Sequence, residues 1–170
     1  MARVLDAIDV LEAEHSRIRS LLARMASSKS PAADDRRALV AQIDAEFRIH
    51  ASLEEDVLLP AFRRISTNKD DARLTLEHQE KLRFLEVALA WIREPRSVGA
   101  VFSARAKVVK DLFGRHADEE QAVLFPRFSK QLGDDRLLEL GAAMQARRTQ
   151  LLLASSGRDD LSGSDGVGTD

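Results

Sequence analysis

A thirteen-residue segment occurs twice in this chain. HASLEEDVLLPAF at 50–62 aligns without gaps on HADEEQAVLFPRF at 116–128, and seven of the thirteen positions are identical. The shared positions include the histidine (His50, His116), the glutamate four residues later (Glu54, Glu120), a proline (Pro60, Pro126) and the closing phenylalanine. Upstream, Glu14-His15 and Glu77-His78 take matching parts, each with a leucine seven residues on, Leu22 and Leu85. The chain therefore reads as two copies of one hairpin. Each copy has a histidine on its first arm and H-x-x-x-E-x-x-x-x-x-P on its second.

Both arms carry helical patterning, and no segment alternates like a strand between hairpin turns. The spacing predicts a helix over about 3–27 with Leu5, Ile8, Leu11, His15, Ile18 and Leu22 on one face. A second runs over about 34–64 with Leu39, Ile43, Phe47, His50, Glu54 and Val57 or Leu58 inward. A third covers about 70–93 with Leu74, His78, Leu82, Leu85 and Leu89 in register, and Trp91 is expected in the core. A fourth covers about 98–130 with Val101, Ala104, Val108, Leu112, His116 and Glu120. The breaks are SSKSPAAD, STNKDD and REPRSVG, where serine, proline, asparagine and glycine stop helices. Pro60 and Pro126 lie near helix ends and are expected to kink or terminate them. Four long helices with short connections imply an all-α, antiparallel up-down-up-down four-helix bundle. A short fifth helix follows at about 134–153, so residues 1–153 form the bundle domain. Residues 154–170, rich in Gly, Ser and Asp, are expected to be a disordered tail.

The turns bring the histidines level. Residues of antiparallel neighbours share a depth when they are equally far from the turn between them. The midpoint of 15 and 50 falls in the first break, that of 50 and 78 at Arg64, and that of 78 and 116 at Ser97. With helix axes about 8–10 Å apart, four inward imidazoles at one level can share a small cavity. Residues i and i+4 occupy one helix face, so His50 with Glu54 and His116 with Glu120 each offer a nitrogen and a carboxylate to the same interior point. One inward histidine is most often a hydrogen-bonded core residue. Four at one level, twice paired with a glutamate, point instead to a metal site, because two carboxylates in a core without a cation cost several kcal/mol each.

The metal ligands read from this pattern are His15, His50, Glu54, His78, His116 and Glu120. Two cations held close together repel, and anions between them offset that repulsion. The expected arrangement puts His15 and His50 on one metal and His78 and His116 on the other, with both glutamates bridging. Imidazole and carboxylate together fit iron, manganese or zinc, and disfavour calcium, magnesium or copper(I). Six ligands leave both metals undersaturated, open to water, hydroxide or a small diatomic molecule. Leu11, Ile18, Phe47, Leu74, Leu82 and Leu112 are the expected apolar walls. Glu46, Glu55 and Glu119 are further residues within reach of a ligand role.

Composition narrows the alternatives. The chain has no cysteine, which removes disulfides, thiolate nucleophiles, iron–sulfur clusters and cysteine-bound zinc. With no tyrosine, a tyrosyl radical beside a metal pair has no residue to form on. A net charge of -2 gives no reason to expect nucleic acid or an anionic membrane as partner. The first residues lack a signal-peptide core, and no stretch reaches the roughly 20 apolar residues of a membrane span. A cytoplasmic protein is the expectation.

The paired H-x-x-x-E motifs, with His15 and His78 upstream, resemble the hemerythrin-like (HHE cation-binding) domain family over about residues 8–130. That resemblance implies a non-haem di-iron centre with an oxo or hydroxo bridge, able to meet O2, NO or peroxide, and so favours iron over manganese or zinc. His15, His50, Glu54, His78, His116 and Glu120 match the family pattern position by position. The oxygen-carrying hemerythrins differ in having a fifth histidine one turn from the third-helix ligand, where this chain has Leu74 and Leu82. Their last carboxylate is an aspartate one residue further on, where this chain has Gln121. Fewer histidines argue against simple oxygen carriage. The functions carried forward are a di-iron protein handling O2, NO, peroxide or iron in sensing or stress response, a peroxide-disproportionating or NO-reducing enzyme, and a metal-free interaction bundle. A sensor would act through an unidentified protein partner.

Overall fold

The computed structural model describes residues 4–27, 33–94 and 98–162, and every element among them is helical. These are α1 (Ala7–Ser27), α2 (Ala33–Leu53), α3 (Leu59–Ile65), α4 (Lys69–Arg93), α5 (Gly99–Glu119), α6 (Phe125–Leu132) and α7 (Asp134–Ser162). Single π-helical turns, Glu54–Leu58 and Glu120–Leu124, join α2 to α3 and α5 to α6. Four long antiparallel arms thus run up-down-up-down. α1 packs between the α2 and α5 arms, α4 closes the ring between them, and α7 lies outside against α1 and α2.

Local chemistry sets several boundaries. α1 begins at Ala7, not at residue 3, because Asp6 caps it. Its Oδ1 accepts from the N–H groups of Ile8 and Asp9 at 2.8 and 2.9 Å, and Asp9 accepts from the Asp6 N–H at 3.2 Å, a reciprocal cap that apolar spacing does not show. Asn68 caps α4 by accepting from the Asp70 N–H at 2.9 Å. Neither Pro60 nor Pro126 ends its arm. Each stands just after a π turn whose closing bond runs from Leu59 N–H to Glu54 O, or from Phe125 N–H to Glu120 O. The ladder is already displaced there, so a residue without an N–H fits at the start of the next helix. α7 continues to Ser162, beyond the expected end at 153, and residues 163–170 of the expected tail lie outside the described residues.

The inward face of the fourth arm differs from the expected one. Val101 and Val108 are about half exposed and Ala104 is exposed, whereas Phe102, Ala106, Val109 and Phe113 are buried. Phe102 and Val109 stand fourteen and seven residues before His116, in line with it at a bundle's heptad spacing. The valines are one position off that line. Leu5 and Trp91 are also exposed, and Ile8 is half-buried. Two apolar clusters result. One gathers Ile18, Leu22, Ile43, Phe47, Leu85 and Phe113, and the other Leu11, Leu53, Leu59, Phe62, Phe125 and Met144. The buried polar layer lies between them. Among the described residues, no helix is long and apolar enough to cross a membrane.

Candidate metal centre

All six residues singled out by the sequence converge in that layer, each no more than 4% exposed. One donor atom from each of His15, His50, Glu54, His116 and Glu120 lies within 4.8 Å of all the others. His78 joins them through Nε2, 2.6 Å from Glu54 Oε2 and 3.4 Å from Glu120 Oε1. Each carboxylate reaches both histidine pairs. Glu120 places Oε2 2.8 Å from His15 and Oε1 2.7 Å from His116. Glu54 places Oε1 3.6 Å from His50 and Oε2 against His78. His50 and His116 approach to 3.3 Å between their Nε2 atoms.

This donor set fits cations. Within the cluster, His78 meets Glu54 and His50 meets His116 in hydrogen-bond contact, but His15 Nε2 and both Glu120 oxygens are buried with no aligned hydrogen-bond partner. Buried polar atoms left without such a partner beside two imidazole–carboxylate pairs are what a cation would complete. Burial pulls the His50 imidazole down to about 3, against the pull of Glu54, which leaves a free nitrogen lone pair. Burial also acts to lower His78, but the carboxylates of Glu54 and Glu120 outweigh it and lift that imidazole to about 9. For Glu120, burial acts upward, yet His116, His15 and His78 hold the carboxyl well below its usual range. His78 would hold a cation only by giving up the proton that these carboxylates favour on it.

Of the residues expected as walls, Phe47 lies with its ring 6.3 Å from that of His50, Leu11, Ile18 and Leu82 are buried, and Leu74 and Leu112 are half-buried. Two aromatic neighbours are additional. Phe113 lies with its ring 5.9 Å from His15 and His50 and 5.8 Å from His116, and Phe125 stacks on His15 at 5.8 Å. The repeat holds the signal for the first, since F-x-x-H occurs at both Phe47–His50 and Phe113–His116. Glu46, Glu55 and Glu119 stand outside the cluster. Glu46 accepts from Arg148 at 3.1 Å, Glu119 pairs with Lys81 at the surface, and Glu55 lines a cavity between α2 and α4. The expected equivalence of Glu14 and Glu77 fails. Glu14 is fully buried and held by Arg17 and by Arg148 at 2.9 Å, while Glu77 is half-exposed. Burial raises the Glu14 carboxyl against the pull of those guanidiniums.

Comparison with known proteins bears on the fold and the family. Residues 6–128 match the family model of the hemerythrin HHE cation binding domain. The crystal structure of an HHE cation binding domain-containing protein from Mycobacterium kansasii superposes with a TM-score of 0.75 at 25% identity, covering 96% of this chain and 95% of that one. A protein of Nostoc sp. (strain PCC 7120 / SAG 25.82 / UTEX 2576) described as a DNA nickase is 23% identical over 143 residues. That match covers 84% of this chain but only 39% of the Nostoc protein.

Proposed function

Since this chain belongs to the hemerythrin HHE cation-binding domain family, we propose that it holds two iron ions and handles O2, NO or peroxide in sensing or stress response. The observation that carries the reading is the placement of Glu54 and Glu120, each of which turns one oxygen to the His15–His50 pair and the other to the His78–His116 pair. Two cations need anionic ligands between them, and these carboxylates stand where that need arises. Iron in such a set supplies vacant positions for a small ligand and access to two oxidation states. The chain's own part is to position and to exclude water. The π turns set the two glutamates, Phe113 and Phe125 pack against the imidazoles, and the apolar clusters on either side keep the layer dry.

The test is metal analysis and an optical spectrum of freshly purified protein. About two irons per chain, with near-ultraviolet absorption of a bridged pair, are expected. His50→Ala combined with His116→Ala should remove the metal while the helical circular dichroism persists. Unchanged metal content in that variant would refute the assignment.

A further inference from the structure

Three surface cavities can be compared for access to the centre. One between α1 and α2 is lined by Arg17 and Glu46 among others, and one between α2 and α4 by Arg48, Asp56 and Glu86 among others. Neither has any of the six cluster residues in its wall. The third, about 360 Å³ between α4 and α5, does: His116 forms part of it. Phe84, Leu85 and Leu112 form its apolar wall, and the charged Glu80, Lys81, Arg115 and Glu119 complete the lining, Lys81 pairing with Glu119.

Exposure gives the cavity a direction. Phe84 is 52% exposed at the outer edge, Leu112 is half-buried, and Leu85 and His116 are 3% and 4% exposed at the inner end. His116 is thus shared. Its Nε2 meets Glu120 and His50 on the cluster side, while the same residue forms part of the cavity's lining. We propose that this cavity is the port by which an uncharged diatomic ligand, of the O2 or NO class, reaches the centre past Leu85 and Leu112. The proposal rests on the di-iron reading above. An apolar throat costs a neutral diatomic molecule little, whereas an anion must shed its hydration there. Past the charged residues of the lining, the stretch at Leu85 and Leu112 therefore favours a neutral ligand over an anion. It also accounts for the uncovered Phe84, which continues the apolar wall to the surface.

Stopped-flow association of nitric oxide with the ferrous protein tests this, with iron content measured for every variant. Leu112→Trp, and Phe84→Trp at the more exposed position, should each slow association roughly tenfold or more. Ser20→Trp and Glu86→Trp, at the other two cavities, should leave the rate within about twofold. A second readout needs no metal. Xenon occupies apolar cavities, so xenon pressure on the iron-free protein should shift the Leu85 methyl resonances, and Leu112→Trp should abolish the shift. The port is overturned if both blocking variants associate at the parent rate, if the control variants slow association equally, or if xenon leaves Leu85 unmoved. Those results with two irons per chain overturn the port alone. A parent chain without iron overturns the di-iron reading, and the port's role with it.

Discussion

Glu14, Glu54 and Glu120 are each no more than 1% exposed, and they differ in what faces them. Glu54 and Glu120 meet imidazoles, which a cation can complete, whereas Glu14 meets the guanidiniums of Arg17 and Arg148 and is already paired. Arg148 reaches Glu14 and Glu46 from α7 and so links α1 and α2 one residue and one turn away from His15 and His50. Removing one partner of a buried ion pair typically costs about 3–5 kcal/mol. Arg17 stays beside Glu14, so Arg148→Ala is expected to cost somewhat less, about 2–3 kcal/mol. Glu14→Gln in that background should recover part of the loss, because the stranded charge goes with it. Urea unfolding of the two single variants and the double variant measures the coupling, and independent, additive effects would contradict it. The six cluster residues were legible in the sequence because i and i+4 spacing and a duplicated motif carry over directly into shared depth. Glu14 was not. Its sequence context repeats at Glu77, and what separates the two is a helix packed on α1 that leaves Glu77 of α4 half-exposed.

α7 is also where the elements depend most on close backbone approach. A Cβ at Gly141 would stand 2.4 Å from the Leu5 carbonyl oxygen and 2.7 Å from the Asp6 carbonyl carbon, both backbone atoms that cannot rotate away. Helix propensity favours alanine over glycine by about 1 kcal/mol, while forcing packed elements apart typically costs about 1–3 kcal/mol. Here the steric side wins, since the start of α1 is pinned by the Asp6 cap. Gly141→Ala should therefore lower the melting temperature by a few degrees, roughly 2–4 °C per kcal/mol for a chain of this size. Scanning calorimetry would show the opposite shift if propensity prevailed. A second tie is Asp71 in the first turn of α4, which accepts from Gln131 at 2.9 Å and from Ser66 at 2.9 Å and pairs with Arg127. The Gln131 hydrogen bond, then Ser66 and Arg127, hold its carboxyl below the ordinary 3.8 despite burial. A folded-state value below the unfolded one contributes stability above about 3.8, and this is lost as pH falls through the folded value. Asp71→Asn is thus expected to cost about 2 kcal/mol near neutrality, and urea midpoints of variant and parent should converge as the pH drops below 3.8. Helix existence and order were legible at this scale. The buried face of α5 was not, because Val101 and Val108 keep helical spacing as well as Phe102 and Val109 do, and only alignment with His116 separates the two sets.

The whole molecule is layered, with apolar cluster, polar plane and apolar cluster following one another along the bundle axis. The apolar ends supply most of the folding free energy through burial, and the plane between them is where stability and function conflict. Its imidazoles and carboxylates give up hydration, and several of their atoms gain no aligned hydrogen bond in return. A cation that binds the folded bundle and not the unfolded chain offsets this by mass action, by about 2.7 kcal/mol at a free concentration one hundred times its dissociation constant. Chelation should therefore lower the melting temperature by several degrees without removing the helical signal, since the two apolar clusters remain. Hydrogen exchange adds a spatial expectation. Amides of the π turns at Glu54–Leu58 and Glu120–Leu124, where the ladder is already displaced, should lose protection first, while those around Ile43 and Leu89, inside the apolar cluster, keep theirs. Uniform loss of protection along the bundle would mean that the metal supports the entire fold rather than its polar layer. A melting temperature indifferent to chelation would mean that the plane is stable by itself and that its six donors have another purpose.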